Sequence, residues 1–208
     1  RVARLTKVLR QAGDSDIPKV AAAIRDGVVP VLQPWTGQTE GVFLIPLAAM
    51  MDTYRKLRSC GEVMLIAALR NTVDAINSTE AAFWLKPGVP TRRLGPLSTV
   101  AVGDPVVATA NRYADGLFNG LLGVVHSTAG AQIEVLWDGE TTPRTLPAEA
   151  EGDIELAYAI TCHKAQGSSA ASVVVAVEDT PLVTREWLYT AITRGRSLVM
   201  KREKKPKC

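Results

Sequence analysis

No G-x-x-x-x-G-K-[ST] stretch occurs anywhere in the 208 residues, and no G-x-G-x-x-G opens a helix. On its own the chain therefore has no usual cradle of backbone N–H groups for nucleotide phosphates. H-E-x-x-H, G-x-S-x-G and EF-hand patterns are missing as well, and with them the chemistries those patterns carry. Cysteine is scarce. Cys60, Cys162 and Cys208 stand far apart with no C-x-x-C spacing, so neither a disulfide framework nor a metal site is expected. Aromatic residues make up only 5% of the chain. No run of about 18 apolar residues is present, so no transmembrane helix and no membrane partner are expected. A basic-then-apolar start with a small-residue cleavage site is also lacking, and a cytoplasmic, reducing setting is the expectation.

What remains is a composition suited to one or two globular domains, 47% hydrophobic and 22% charged. The net charge of +3 hides an asymmetry. Seven basic residues (Arg194, Arg196, Lys201, Arg202, Lys204, Lys205 and Lys207) fall in the last fifteen positions, against the single acid Glu203. Such a tail is either a solvated end or a non-specific attractor of phosphates. The chain opens Arg1-Val-Ala-Arg-Leu5 with no initiator Met, which reads as part of something longer.

Periodicity predicts a helix over Ser15–Arg25, with Ile17, Val20, Ala21 and Ile24 on one face and Gly27 beyond its end. Val42–Ile45 and Val63–Leu69 are short apolar runs of the buried-strand kind, separated by a helix over Leu47–Leu57 that stops at Gly61. Thr72–Trp84 reads as another helix. Uniformly apolar strands alternating with helices imply a parallel sheet covered on both faces. From Leu97 the texture changes to short strands and turns. Ala131–Trp137 alternates, and Asp138-Gly139 signals a hairpin into Thr141–Leu146. This stretch is expected to form a small β-barrel over 98–152. The parallel texture then returns with one strand over Leu156–Thr161 and another over Ser172–Val177. A helix capped by Thr184 follows and runs to Arg194.

Two segments carry chemistry. Ala157-Tyr-Ala-Ile-Thr161-Cys-His163-Lys164-Ala-Gln166-Gly167-Ser168-Ser169 is a strand ending in a polar, glycine-containing turn. Backbone N–H groups, Lys164 and hydroxyls there suit phosphate oxygens, although the same residues also describe an ordinary loop. Trp187-Leu-Tyr-Thr190-Ala-Ile-Thr193-Arg194-Gly-Arg196 is a helix ending in arginine. Arg194 either complements the helix dipole, worth about 0.3–1 kcal/mol, or reaches a γ-phosphate as an arginine finger.

Together the two segments resemble motifs V and VI of superfamily 1 helicases, in particular the RecD-like branch of the exonuclease V alpha-subunit type. Leu5–Pro30, with its Leu-Thr-x-x-x-Arg-Gln, resembles the motif IV region. Val102–Val125, with its Asn, Phe-Asn-Gly and Gly-Val-Val, resembles the start of that family's barrel insertion. The resemblance implies an α/β fold: a RecA-like parallel sheet flanked by helices, the second lobe of a P-loop NTPase-type motor, over 1–97 and 153–208. A small Src-homology-like β-barrel would be inserted at 98–152.

It further implies an ATP-dependent DNA helicase in which ATP and Mg²⁺ are held mainly by an N-terminal RecA-like lobe of the same polypeptide, outside this chain. Arg10 and Arg194 would be the γ-phosphate arginines. Gln11, Lys164 and Gly167 would lie on the nucleotide side. Thr161, His163, Gln166, Ser168, Arg70, Asn111 and Asn119 would lie on the single-stranded DNA side, with the two asparagines more suited to forming turns. Other exonuclease V subunits are further candidate partners. Ser169 departs from the family's common glutamate at that place, and the family's closing sheet strand would be short here, over Leu198–Met200. The competing reading is a stand-alone or degenerate nucleic-acid-binding or docking module without ATPase activity. Its barrel region offers only Tyr113, Phe118 and Trp137 for stacking.

Overall fold

The computed structural model describes residues 16–94, 98–130 and 132–202. Arg10, Gln11, the first eleven residues of the Leu5–Pro30 motif IV stretch and the basic residues after Arg202 lie outside them. In chain order the elements begin with α1 (Ile17–Arg25), β1 (Gln33–Pro34), β2 (Gly41–Ile45), α2 (Met50–Cys60), β3 (Val63–Ala67) and α3 (Arg70–Trp84). Next come β4 (Thr91–Leu94), β5 (Ser98–Ala101), β6 (Pro105–Ala108), β7 (Leu122–Ser127), β8 (Glu134–Trp137) and β9 (Arg144–Thr145). The last are β10 (Ile154–Leu156), β11 (Ala159–Thr161), β12 (Ala170–Ala176), α4 (Arg185–Ile192) and β13 (Gly195–Arg202). The chain divides into two compact units: Leu69–Ser168, and the described residues on either side of that stretch.

In the discontinuous unit the strands β1-β2-β13-β12-β3 lie side by side, every pairing parallel. Leu65, Ile66, Val173, Val174 and Val175 are fully buried. Continuous burial, rather than alternation, is what a sheet covered by helices produces. α2 packs on β3 and β12, while α1 packs on α4 and β13. Along α1, Ile17, Ala21 and Ile24 are buried and Val20 is half-buried, so the expected apolar stripe faces inward. Thr184 caps α4 as its sequence implies, its Oγ1 accepting the Trp187 N–H at 3.2 Å. The last strand is longer than the expected Leu198–Met200. β13 spans eight residues at the sheet centre, with Lys201 paired to Leu44 and to Val175. Two flanking ladders carry the strand into the basic sequence, because backbone hydrogen bonding is indifferent to side-chain charge.

In the unit Leu69–Ser168, β10-β6-β7-β8-β9 form one antiparallel sheet and β4-β5 a hairpin. Val107, Val125, Ile133, Val135, Trp137 and Leu146 are each 2% exposed or less and form its core. β8 begins at Glu134, and β9 is only two residues long. The Asp138-Gly139 turn is present, with Gly139 at φ +84° and Glu140 N–H donating to Trp137 O at 3.0 Å. The strand expected over Leu156–Thr161 is in fact two, β10 and β11, broken at Ala157-Tyr158. β3 stops at Ala67, and α3 starts at Arg70 instead of Thr72.

Candidate functional site

The break between β10 and β11 is held by one polar side chain. Asn77 lies on the buried stripe of α3 with Val73 and Glu80. Its amide nitrogen donates to Leu156 O at 2.9 Å and to Ala159 O at 3.1 Å, and its Oδ1 accepts the Ala159 N–H at 2.8 Å. Tyr158, 1% exposed, donates its hydroxyl to Asp104 Oδ1 at 2.6 Å. The backbone groups that lose sheet partners at the break thus regain them from a side chain, as burial demands. An asparagine four residues after Val73, on the face that α3 buries, was the one available signal for Asn77.

Thr161 closes β11, and the chain then turns through Cys162–Gly167. Ala165 N–H donates to Thr161 O at 3.1 Å, Gln166 N–H to His163 O at 3.2 Å and Ser168 N–H to Ala165 O at 3.2 Å. Cys162 and Ala165 point into the core, whereas His163, Gln166 and Gly167 are exposed. Gly167 sits at φ +92°, a conformation that favours glycine. The turn therefore presents two polar side chains and bare backbone to solvent.

Lys164 behaves differently from its neighbours. Its side chain is only 16% exposed, and its Nζ donates to Glu155 Oε2 at 2.7 Å. The other oxygen of Glu155 accepts from Arg70 Nη2 at 2.6 Å. One carboxylate on β10 therefore joins two of the residues expected to meet ligands, one on α3 and one on the turn. Burial pushes the Glu155 carboxyl up, but the hydrogen bonds and charges of Lys164 and Arg70 outweigh it and hold the group below the ordinary glutamate value. No sequence pattern pointed to Glu155. A cavity of about 540 Å³ adjoins it, lined by Arg70, Asp74, Asn77 and Asp104 among others.

Asn111 and Asn119 meet across one loop, where Asn111 Oδ1 accepts the Asn119 N–H at 2.8 Å. This is a turn-forming role. Gly120 follows at φ +89°, and a β-carbon there would come within 2.9 Å of Lys164 O. Ser168 Oγ lies 3.4 Å from Gly120 O. The loop and the 162–167 turn are therefore close neighbours. Trp137 is 2% exposed and belongs to the core, which leaves Tyr113 and Phe118 as the accessible ones of the three candidate rings.

In the discontinuous unit, Arg194 lies just beyond α4 and folds onto its last turn. Its Nε donates to Thr190 O at 3.1 Å and its Nη2 to Thr193 Oγ1 at 3.3 Å. Arg196 donates to both the carbonyl and the hydroxyl of Ser169 at 3.2 Å and pairs with Glu62. Among the described residues no cluster of three His, Cys, Asp or Glu could hold a metal ion. No helix among them is long and apolar enough to cross a membrane.

Residues 156–200 match the family model for the UvrD-like helicase C-terminal domain. The chain is 30% identical to the ATP-dependent RecD2 DNA helicase of Deinococcus radiodurans, over 93% of this chain and 27% of that protein. It is 42% identical to the RecBCD enzyme subunit RecD of Mycolicibacterium smegmatis, over 47% of this chain and 17% of that protein. It thus spans about a quarter, or less, of these relatives. A Bacteroides Pif1 helicase solved with ADP-AlF3 and single-stranded DNA superposes over 94% of this chain and 51% of its own, with a TM-score of 0.58 at 22% identity. A structure of two coordinating Pif1 helicases at forked duplex DNA superposes with a TM-score of 0.59, also at 22% identity, over 94% of this chain and 49% of its own. These likenesses bear on the fold: a parallel sheet flanked by helices, as in a helicase RecA-like lobe.

Proposed function

Taking the chain as a C-terminal helicase segment of the RecD type, we propose that it is the second motor lobe of an ATP-dependent DNA helicase, with 98–152 as its inserted barrel. ATP is the substrate, bound mainly by the rest of the same polypeptide. Single-stranded DNA is the track. Mg²⁺, like ATP, is held mainly by that other part of the polypeptide. The observation that carries the reading is the match to a RecD2 helicase along 93% of the chain.

Arg194 stabilises charge on the γ-phosphoryl group as water attacks in line, and Arg10 senses the same phosphate. The helix-end contacts to Thr190 and Thr193 hold the guanidinium in one direction, which suits a group that acts by position. Gln11, Lys164 and Gly167 belong to the nucleotide side. Lys164 serves there through the turn it anchors to Glu155. Thr161, His163, Gln166 and Ser168 line the strand-facing side. Arg70, Asn111 and Asn119 shape the same surface. Nucleotide-driven closing and opening of the two lobes then alternates the grip on one DNA strand.

The test is ATP turnover with single-stranded DNA present. The chain alone should hydrolyse no ATP. The longer polypeptide that carries it should do so, and Arg194→Ala should lower that rate by about 10³-fold or more. Arg194→Lys should not rescue it, because an ammonium lacks the planar fork of donors. Undiminished turnover in Arg194→Ala, or turnover by the chain alone, would overturn the reading.

A further inference from the structure

We propose that Tyr113 and Phe118 form a corner that stacks one unpaired nucleobase. The proposal rests on the single-strand reading above and extends it to residues that have no role there. Tyr113 is 75% exposed and Phe118 50%. Their ring centroids lie 5.8 Å apart with the planes at 68°. Lone exposed apolar side chains are ordinary. Two rings held edge to face on a locked loop are not.

The lock is explicit. Arg112 N–H donates to Leu117 O at 2.8 Å, and Leu117 N–H donates to Arg112 O at 3.1 Å. Gly116 turns the chain at φ +63°. Arg112 Nε pairs with Asp115 at 2.7 Å, and Arg144 Nη1 donates to Asp115 O at 2.7 Å. Leu117, 2% exposed, anchors the loop in the core. A surface ordered in advance loses little freedom on binding.

The geometry selects the occupant. Two planes at 68° admit one flat ring, flush on one side chain and edge-on to the other, and leave no slot for intercalation. Two side chains offer far less than the roughly 800 Å² per partner of a stable protein contact. Every base has a π-face, so such a corner tolerates sequence. An open groove of about 470 Å³ beside Tyr113 leaves room for the sugar and phosphate. The nearby guanidiniums of Arg112 and Arg144 are already paired with Asp115 and Glu140. Stacking rather than charge must therefore supply the affinity.

The experiment is fluorescence anisotropy of the full chain with oligo(dT), and with an abasic oligonucleotide of the same length, at low and moderate salt. Tyr113→Leu and Phe118→Leu keep apolar bulk and remove the ring face. Each should weaken oligo(dT) binding about 5-fold or more, leave the salt slope unchanged and leave abasic binding unchanged. Tyr113→Trp should keep or raise the affinity. Unchanged oligo(dT) affinity in both leucine variants, with native circular dichroism, would overturn this proposal and leave the motor reading standing. An equal loss on the abasic strand would do the same. A wild-type chain that binds no single strand at low salt would sink both. Self-association lost in Tyr113→Leu, with DNA binding intact, would assign the corner to a second copy instead.

Discussion

Asn77 and Ala159 exchange two hydrogen bonds. The Asn77 amide donates to Ala159 O at 3.1 Å, and Ala159 N–H returns one to Asn77 Oδ1 at 2.8 Å. A helix side chain thereby completes the backbone where β10 ends and β11 begins, one strand before the turn that carries Thr161 to Ser168.

Asn77→Ala would leave the buried Ala159 N–H and the Leu156 and Ala159 carbonyls without this partner. Orphaned groups of that kind cost about 1–3 kcal/mol each, so a net loss of about 2–4 kcal/mol is expected. Asn77→Asp keeps the acceptor but removes both donors, and should also destabilise. Urea unfolding monitored by circular dichroism reads both. A loss below about 1 kcal/mol for Asn77→Ala would mean that solvent replaces the amide and that the break needs no internal partner.

Glu155 sets an acid dependence. Its burial works against ionisation, but Lys164 and Arg70 hold the folded carboxyl below its ordinary value. A depressed folded value contributes stability that is present above the unfolded value and is lost as pH falls through the folded one. The wild type should therefore lose more stability than Glu155→Gln as pH falls from about 6 to about 3. At neutral pH the Gln variant should be the less stable, since Lys164 loses its charged partner. Parallel stability–pH curves for the two proteins would show that the Arg70–Glu155–Lys164 link contributes nothing.

Gly120→Ala should disturb two segments at once. The residue sits at φ +89°, and the added carbon would meet Lys164 O at 2.9 Å, a backbone atom that cannot swing aside. Strained positive-φ placement alone costs about 1–3 kcal/mol. Weaker single-strand binding by the full chain should accompany the stability loss, because the 162–167 turn must shift. A stable Gly120→Ala variant with unchanged anisotropy would separate the loop from the turn.

Much of the architecture could be read without coordinates. Buried strands announced themselves as unbroken apolar runs, and Thr184 announced the start of α4 by its hydroxyl. The β10–β11 break escaped notice because Ala157-Tyr158 continues the apolar pattern across it. A hydrophobic run reports burial but not which strand a residue pairs with. The site divided in the same way. Asn111 was legible as a turn former from its residue type, whereas Asn119 enters that contact only through its backbone N–H. The fate of Lys164 was not, because its partner lies nine residues away, on a strand before the turn that carries it.

The sequence by itself determined the alternation of apolar strands with amphipathic helices, the caps, the polar turn after Thr161 and the resemblance to a helicase lobe. All of these are properties of neighbouring residues, set by local sterics, hydrogen bonding and hydropathy. Only the tertiary structure decided that Asn77 holds the strand break, that Glu155 joins Arg70 to Lys164, that β13 runs on to Arg202, and that Tyr113 and Phe118 face solvent while Trp137 does not. Each of these depends on groups distant in the chain meeting at hydrogen-bond or van der Waals range, and no local pattern encodes that.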